Sequence, residues 1–122
     1  MTLPLVAGQA IALNNVTSAN LFWAMWGCEI VNGVPQYKAL AEGSPLSAVG
    51  AWQNIYVVPT GRSALVTQLM IMQYPTAGVQ QIYVGTGSNG YLANPIYIPS
   101  GGYVTWDDGG WHYHDSNGRR IT

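Results

Sequence analysis

Few residues in this chain could do covalent chemistry, and the densest group of them is His112-Tyr113-His114-Asp115. Residues two apart in a strand share a face, so His112 and His114 could reach one cation together. A structural zinc needs four ligands, usually Cys or His. The chain has only these two histidines, so Cys28 or a carboxylate such as Asp107 would have to complete the set. The simpler reading is an aromatic strand beside a turn, without a metal. Cys28 sits in Trp26-Gly27-Cys28-Glu29, inside an apolar run, where a free cysteine behaves as a small buried hydrophobe. No nucleophile elbow or cysteine-protease signature surrounds it. The carboxylates are Glu29, Glu42, Asp107, Asp108 and Asp115, and four of these five lie at turns or strand ends, where acidic residues are common anyway. Gly85-Thr86-Gly87-Ser88-Asn89-Gly90 contains a G-x-G, but no Lys follows and no helix opens after it, so it reads as a loop. These residues assign no catalytic group, cofactor or metal, and the chain reads as non-enzymatic.

The aromatic residues are more promising, as binding groups. Trp23 and Trp26 cannot both face one side of a strand, so one belongs in the core and the other outside it. Trp106 and Trp111 flank a hairpin tip and, with His112 and Tyr113, form a candidate binding surface. Exposed indoles there would stack on a sugar face or anchor a protein partner.

The elements that must position these residues read as strands. Turn signals recur at short intervals, with short apolar and aromatic runs between them, the pattern of a sandwich or barrel. Strands are predicted near 20–31, 34–41, 51–58, 63–73, 79–85, 91–98, 102–106, 111–115 and 119–122. Asn32-Gly33 is a strong hairpin signal, because both turn positions need φ > 0. Pro35 has no amide to donate, which places its strand at an edge or a bulge. A second hairpin is expected from Asp107 to Gly110. Val58-Pro59-Thr60-Gly61 and Ile98-Pro99-Ser100-Gly101 are one corner written twice, read as type I turns with Pro second and Gly fourth. Two such corners imply two equivalent edges of a sandwich. Arg62 to Gln73 fits both helical and strand spacing, and its flanking Pro residues favour a long strand.

Leu3 to Leu13 differs in kind. It carries Leu3, Pro4, Leu5, Val6, Ile11 and Leu13, and no strand nearby in sequence is an evident partner. Two readings stand side by side: an extended arm over residues 1–19 that docks on its own sandwich or on a neighbour, ahead of a sandwich over 20–122, or a first strand of the same domain.

Composition bounds the function. The chain has 122 residues, enough for one domain, with 48% hydrophobic but only 7% charged residues; a typical soluble domain carries roughly 25% charged. Disordered chains are charge-rich and aromatic-poor, unlike this one with five Trp and eight Tyr. Four Lys and Arg with a net charge of −1 argue against nucleic-acid binding. No apolar run is long enough to span a membrane as a helix, and no signal peptide is expected from Met1-Thr2-Leu3-Pro4-Leu5. Thirty Asn, Gln, Ser and Thr face nine charged residues. Scarce charge with abundant Tyr, Trp and Met is the composition of interface cores, so much of the surface is expected to lie against a neighbour.

The run Tyr56-Val57-Val58-Pro59-Thr60-Gly61-Arg62-Ser63-Ala64-Leu65-Val66-Thr67-Gln68-Leu69-Met70 resembles small jelly-roll-like β-sandwich domains of tailed-phage virion proteins. Tyr97-Ile98-Pro99-Ser100-Gly101-Gly102-Tyr103-Val104 is similar to their second corner, and Trp111-His112-Tyr113-His114-Asp115-Ser116-Asn117-Gly118 to their closing hairpin. The resemblance covers about residues 54–122. It implies a capsid decoration (cement) protein or a fibre module, commonly a homotrimer, bound to the major capsid protein or another virion protein, and assembled in the host cytoplasm. The combined expectation is an all-β, antiparallel, jelly-roll-like β-sandwich with an extended N-terminal arm and no cofactor. A glycan- or receptor-binding fibre module is the alternative.

Overall fold

Leu, Phe, Trp, Met and Ile crowd two stretches of the chain so densely that polar and apolar positions do not alternate cleanly, and both stretches form eleven-residue strands. The computed structural model describes residues 3–15, 21–44, 50–73, 80–85, 96–107 and 110–121. Among these residues the strands are β1 (Leu3–Val6), β2 (Ala10–Asn15), β3 (Leu21–Val31), β4 (Val34–Gly43), β5 (Gln53–Val57), β6 (Ser63–Gln73), β7 (Gln80–Gly85), β8 (Ile96–Ile98), β9 (Tyr103–Asp107) and β10 (Gly110–His114). All pairing is antiparallel. A larger sheet has the order β10-β9-β6-β3-β4, with β1 set apart from that path on β6, and a smaller sheet has the order β5-β2-β7-β8. Leu21, Met25, Leu69, Ile71 and Val104 from the larger sheet share one core with Ile11, Leu13, Ile82, Ile96 and Ile98 from the smaller. The all-β antiparallel sandwich expected from the turn spacing is the fold observed.

Residues 3–15 supply a strand to each sheet. β1 pairs with β6 from Leu3↔Val66 to Val6↔Ser63. A turn follows in which Gln9 N donates to Val6 O and Gly8 adopts φ 84°. β2 then runs between β5 and β7, buried along its whole length. Of the six residues read as an arm interface, Leu5, Ile11 and Leu13 are therefore in the chain's own core, Leu3 is half-buried, and Pro4 and Val6 are exposed.

The Asn32-Gly33 hairpin forms as expected, with φ of 51° and 77° joining β3 to β4, and Pro35 lies on β4 at the sheet edge. The repeated corner is real but differs in type. Pro59 O accepts from Arg62 N, and Pro99 O accepts from Gly102 N, so each turn begins at its proline. Gly61 (φ 80°) and Gly101 (φ 72°) then hold the third position, which makes the turns type II rather than type I. The two corners leave β5 and β8, the two edges of the smaller sheet, and enter β6 and β9 of the larger one. Residues 119–121 do not add a strand. The Asp115 carboxylate accepts from Asn117 N and Arg119 N and turns the chain, leaving one bridge between His114 and Arg120. The expected strand residues 20, 79, 91–95 and 122, the turn signals at 75–78 and 86–90, and the tip of the expected Asp107–Gly110 hairpin at 108–109 lie outside the described residues.

Two bulges meet at Trp26. Pairing with β4 skips Leu40, and pairing with β6 skips Thr67, whose hydroxyl donates to Trp26 O. The skipped Thr67 shifts the alternation of β6 by one, so Val66 and Leu69, three apart, both enter the core. Next to this bulge, a Cβ on Gly27 would collide with the Leu65 carbonyl oxygen. Backbone cannot yield as a flexible side chain would, so Gly27→Ala should cost about 3 kcal/mol. In thermal unfolding the substitution should lower Tm by roughly 10 °C. An unchanged Tm would mean that the two strands can separate locally at no cost.

Candidate interaction face

Cross-strand partners share a face, so the register divides the larger sheet into a core side and an outward side. Leu21, Trp23 and Met25 of β3 point into the core, which turns Phe22, Ala24 and Trp26 outward. Their neighbours across the pairing are Met72, Met70 and Gln68 on β6, and beyond these Tyr103 and Thr105 on β9. On the other flank, Glu42 and Ala39 of β4 lie opposite Ala24 and Trp26. Phe22 is 40% and Trp26 37% exposed, whereas Trp23 is 7% exposed and packs against Gly43. One tryptophan in and one out is the division their spacing required.

This outward face is apolar, with Glu42 its one formal charge among these residues, and a shallow depression is lined by Phe22, Ala24, Glu42, Met70 and Met72. At about 4.8 Å between strands and 3.3 Å per residue, five strands present an area on the order of 700 Å². That approaches the roughly 800 Å² each partner contributes to a stable protein interface. The rims of the sheet are less inviting. β4 carries Pro35, Lys38 and the Leu40 bulge, all features that discourage edge pairing. β10 is followed by the chain's own turn, in which Ile121 N donates to Tyr113 O at 2.7 Å.

The residues expected to form a binding surface divide between the two sides. Trp106, Trp111 and Tyr113 face inward, half-buried against the core, with the two indoles 6.5 Å apart and tilted by 49°. Burial raises the Tyr113 phenol pKa above its ordinary value. His112, opposite Thr105, faces outward. Its Nδ1 lies 2.6 Å from Arg120 Nη2 and its Nε2 3.1 Å from Asp107 Oδ1. Arginine only donates, so Nδ1 accepts and the ring proton sits on Nε2, toward Asp107. His114 instead stacks on Tyr103 at 4.3 Å, and Asp115 is occupied by its turn. The backbone N–H of Arg119 leads the groups that hold the Asp115 carboxyl below its usual range. The quartet that resembled a metal site is thus shared among separate contacts, and no group of three or more potential ligands gathers among the described residues. Cys28 is a free, fully buried thiol.

A polar cluster that sequence reading missed is centred on Glu29, 3% exposed near the end of β3. Its Oε1 lies 2.6 Å from Lys38 Nζ and 2.8 Å from Arg62 Nη1, and its Oε2 accepts from the Tyr56 hydroxyl at 2.6 Å. The available signal was a lone carboxylate in an otherwise uncharged, apolar strand, since a buried charge requires partners. Comparison with protein-family models, with curated proteins and with solved structures finds no match for this chain.

Hydrogen bonds from Lys38 and Tyr56, then Arg62, outweigh burial and hold the Glu29 carboxyl at about 2 rather than 4.5. The Tyr56 phenol is pushed well above its usual range, first by burial and then by Glu29. A folded-state pKa below the unfolded one stabilises the fold fully above pH 4.5, and that contribution is lost as pH falls toward 2. Tm measured across this window should fall with acid. Glu29→Gln should lose this part of the slope and cost about 2 kcal/mol at neutral pH, because Lys38 and Arg62 lose their shared counter-charge. An acid slope unchanged in Glu29→Gln would assign the effect to other carboxylates.

Proposed function

We propose that this protein is a non-enzymatic structural component that works by being covered: the outward face of the larger sheet docks against another protein. The observation that carries the reading is that face itself, where Phe22, Trp26, Met70 and Met72 form the apolar centre of a sheet face of interface size. Strands buried on both sides read as continuous apolar runs, and β3 (Leu-Phe-Trp-Ala-Met-Trp) is such a run, with Phe22 and Trp26 of its outward row partly exposed. The sequence resemblance supplies the setting: a tailed-phage virion, in which the protein decorates or cements the capsid, associates as a homotrimer and contacts the major capsid protein. Binding of this kind draws on apolar burial, at roughly 25 cal/mol per Å². The glycan-binding alternative needs Trp106 and Trp111 as an open stacking platform, and their half-buried packing against the core gives it less support.

Light scattering of the full chain tests the reading. The expected species is an oligomer, larger than the 13.1 kDa monomer, with a mass that holds from low to molar salt because charge contributes little. Trp26→Lys and Phe22→Glu, at positions already partly exposed, should each shift the population toward monomer without lowering Tm appreciably. A monomer at all concentrations, or an oligomer that both substitutions leave intact, would overturn association through this face.

A further inference from the structure

β1 and β9 occupy successive stretches of the same edge of β6, the first opposite Ser63–Val66 and the second opposite Leu69–Met72. Thr67, the bulged residue, falls between them and turns Val66 and Leu69 to the same side. The side chains there do not fill the seam. A cavity of about 70 Å³ remains, lined by Leu3, Met25, Val66, Leu69 and the indoles of Trp106 and Trp111, with Ile11 of the smaller sheet also bordering it. Ile11, Met25, Val66 and Leu69 are fully buried, whereas Leu3, Trp106 and Trp111 are only half-buried, so the entrance lies between Leu3 and the tryptophan pair.

A water held inside a protein needs roughly two to four polar partners, and this lining offers almost none. Apolar cavities stay dry and take up apolar solutes; one of about 150 Å³ accepts benzene. At about half that volume, three or four carbon atoms fit. The geometry points to a binding site in this seam for a small uncharged aliphatic molecule, held by dispersion contacts with the Met25 thioether and the two indoles. The site is separate from the outward face, because all its lining residues point to the opposite side of the sheet. Its ligand bridges β1 to β9, two strands that do not pair with each other. Binding only the folded state, the ligand raises stability in proportion to the logarithm of its concentration.

The full chain is titrated with dissolved xenon, a spherical apolar probe, and with propane as the hydrocarbon. Methyl NMR of Leu3, Met25, Val66 and Leu69, together with the indole signals, reports the site. Saturable shifts are expected at these residues and not at Leu21 or Ile98, which lie toward the other end of the core. Tm should rise with probe concentration. Val66→Ile fills the cavity from its wall and Leu3→Phe from its rim; each should weaken xenon binding roughly tenfold or more. Leu3 is half-buried, so its variant keeps the test valid if Val66→Ile fails to fold. No saturable shift in the natural chain, an unchanged affinity in a folded variant, or shifts spread through Leu21 and Ile98 would each overturn the site.

Discussion

The pairing of β3 with β6 is the contact on which the other strands of the larger sheet depend. It runs from Leu21↔Gln73 to Ile30↔Ser63, nearly the full length of both strands. β4 is then anchored through β3, β1 and β9 through β6, and β10 through β9. The two strands are apolar on both sides, so one row of their side chains builds the core while the other is left at the surface. The same residues that make the pair a reliable centre for the fold thus also create the outward face proposed above as the docking surface. Edge-on pairing is discouraged by the chain itself, through Pro35, Lys38 and the bulge of β4 on one side and the terminal turn beside β10 on the other. In the proposed function, contact is thereby directed from the rims of the sheet to its flat side.

Charge is used sparingly, and where it is used it fastens elements together. Two of the chain's four Lys and Arg residues converge on the Glu29 carboxylate. With the Tyr56 hydroxyl, that one carboxylate ties β3 and β4 of the larger sheet to β5 of the smaller and to the corner that returns the chain to β6. Arg119 and Arg120 are held likewise, by Asp115 and His112. This leaves few mobile charges, which accords with a surface suited to apolar contact.

How much of this was legible depended on the distance between partners. The Asn32-Gly33 hairpin, the recurring corner and the opposite facing of Trp23 and Trp26 were readable, because each is decided within a few residues. Arg62 to Gln73 was ambiguous for a physical reason: the bulge at Thr67 shifts the alternation midway, so no single period fits the whole strand. β2 had no visible partner because β5 and β7 lie some 40 and 70 residues further along the chain. The Glu29 cluster was hidden for the same reason, since its ligating groups come from β4, β5 and the following corner. Side could not be read at β9 and β10, where Trp106 and Tyr113 alternate with Tyr103 and His112. Aromatic residues occupy both faces there, and only the sheet's position over the core separates them.

The way β1 and β2 are attached gives the molecule an unequal response to mechanical load. β1 pairs along one edge only, through four residues, and its first residue, Leu3, lies opposite Val66 in the middle of β6. A pull entering at residue 3 and directed away from the sheet would open these pairs one after another, ending at Val6↔Ser63. It would then reach β2, which is gripped along both edges by β5 and β7 and has every residue buried. The first step would release a length on the order of 14 Å at low force. The next would require the smaller sheet to part on both sides of a central strand, so β1 acts as an extensible leader in front of a much stiffer anchor.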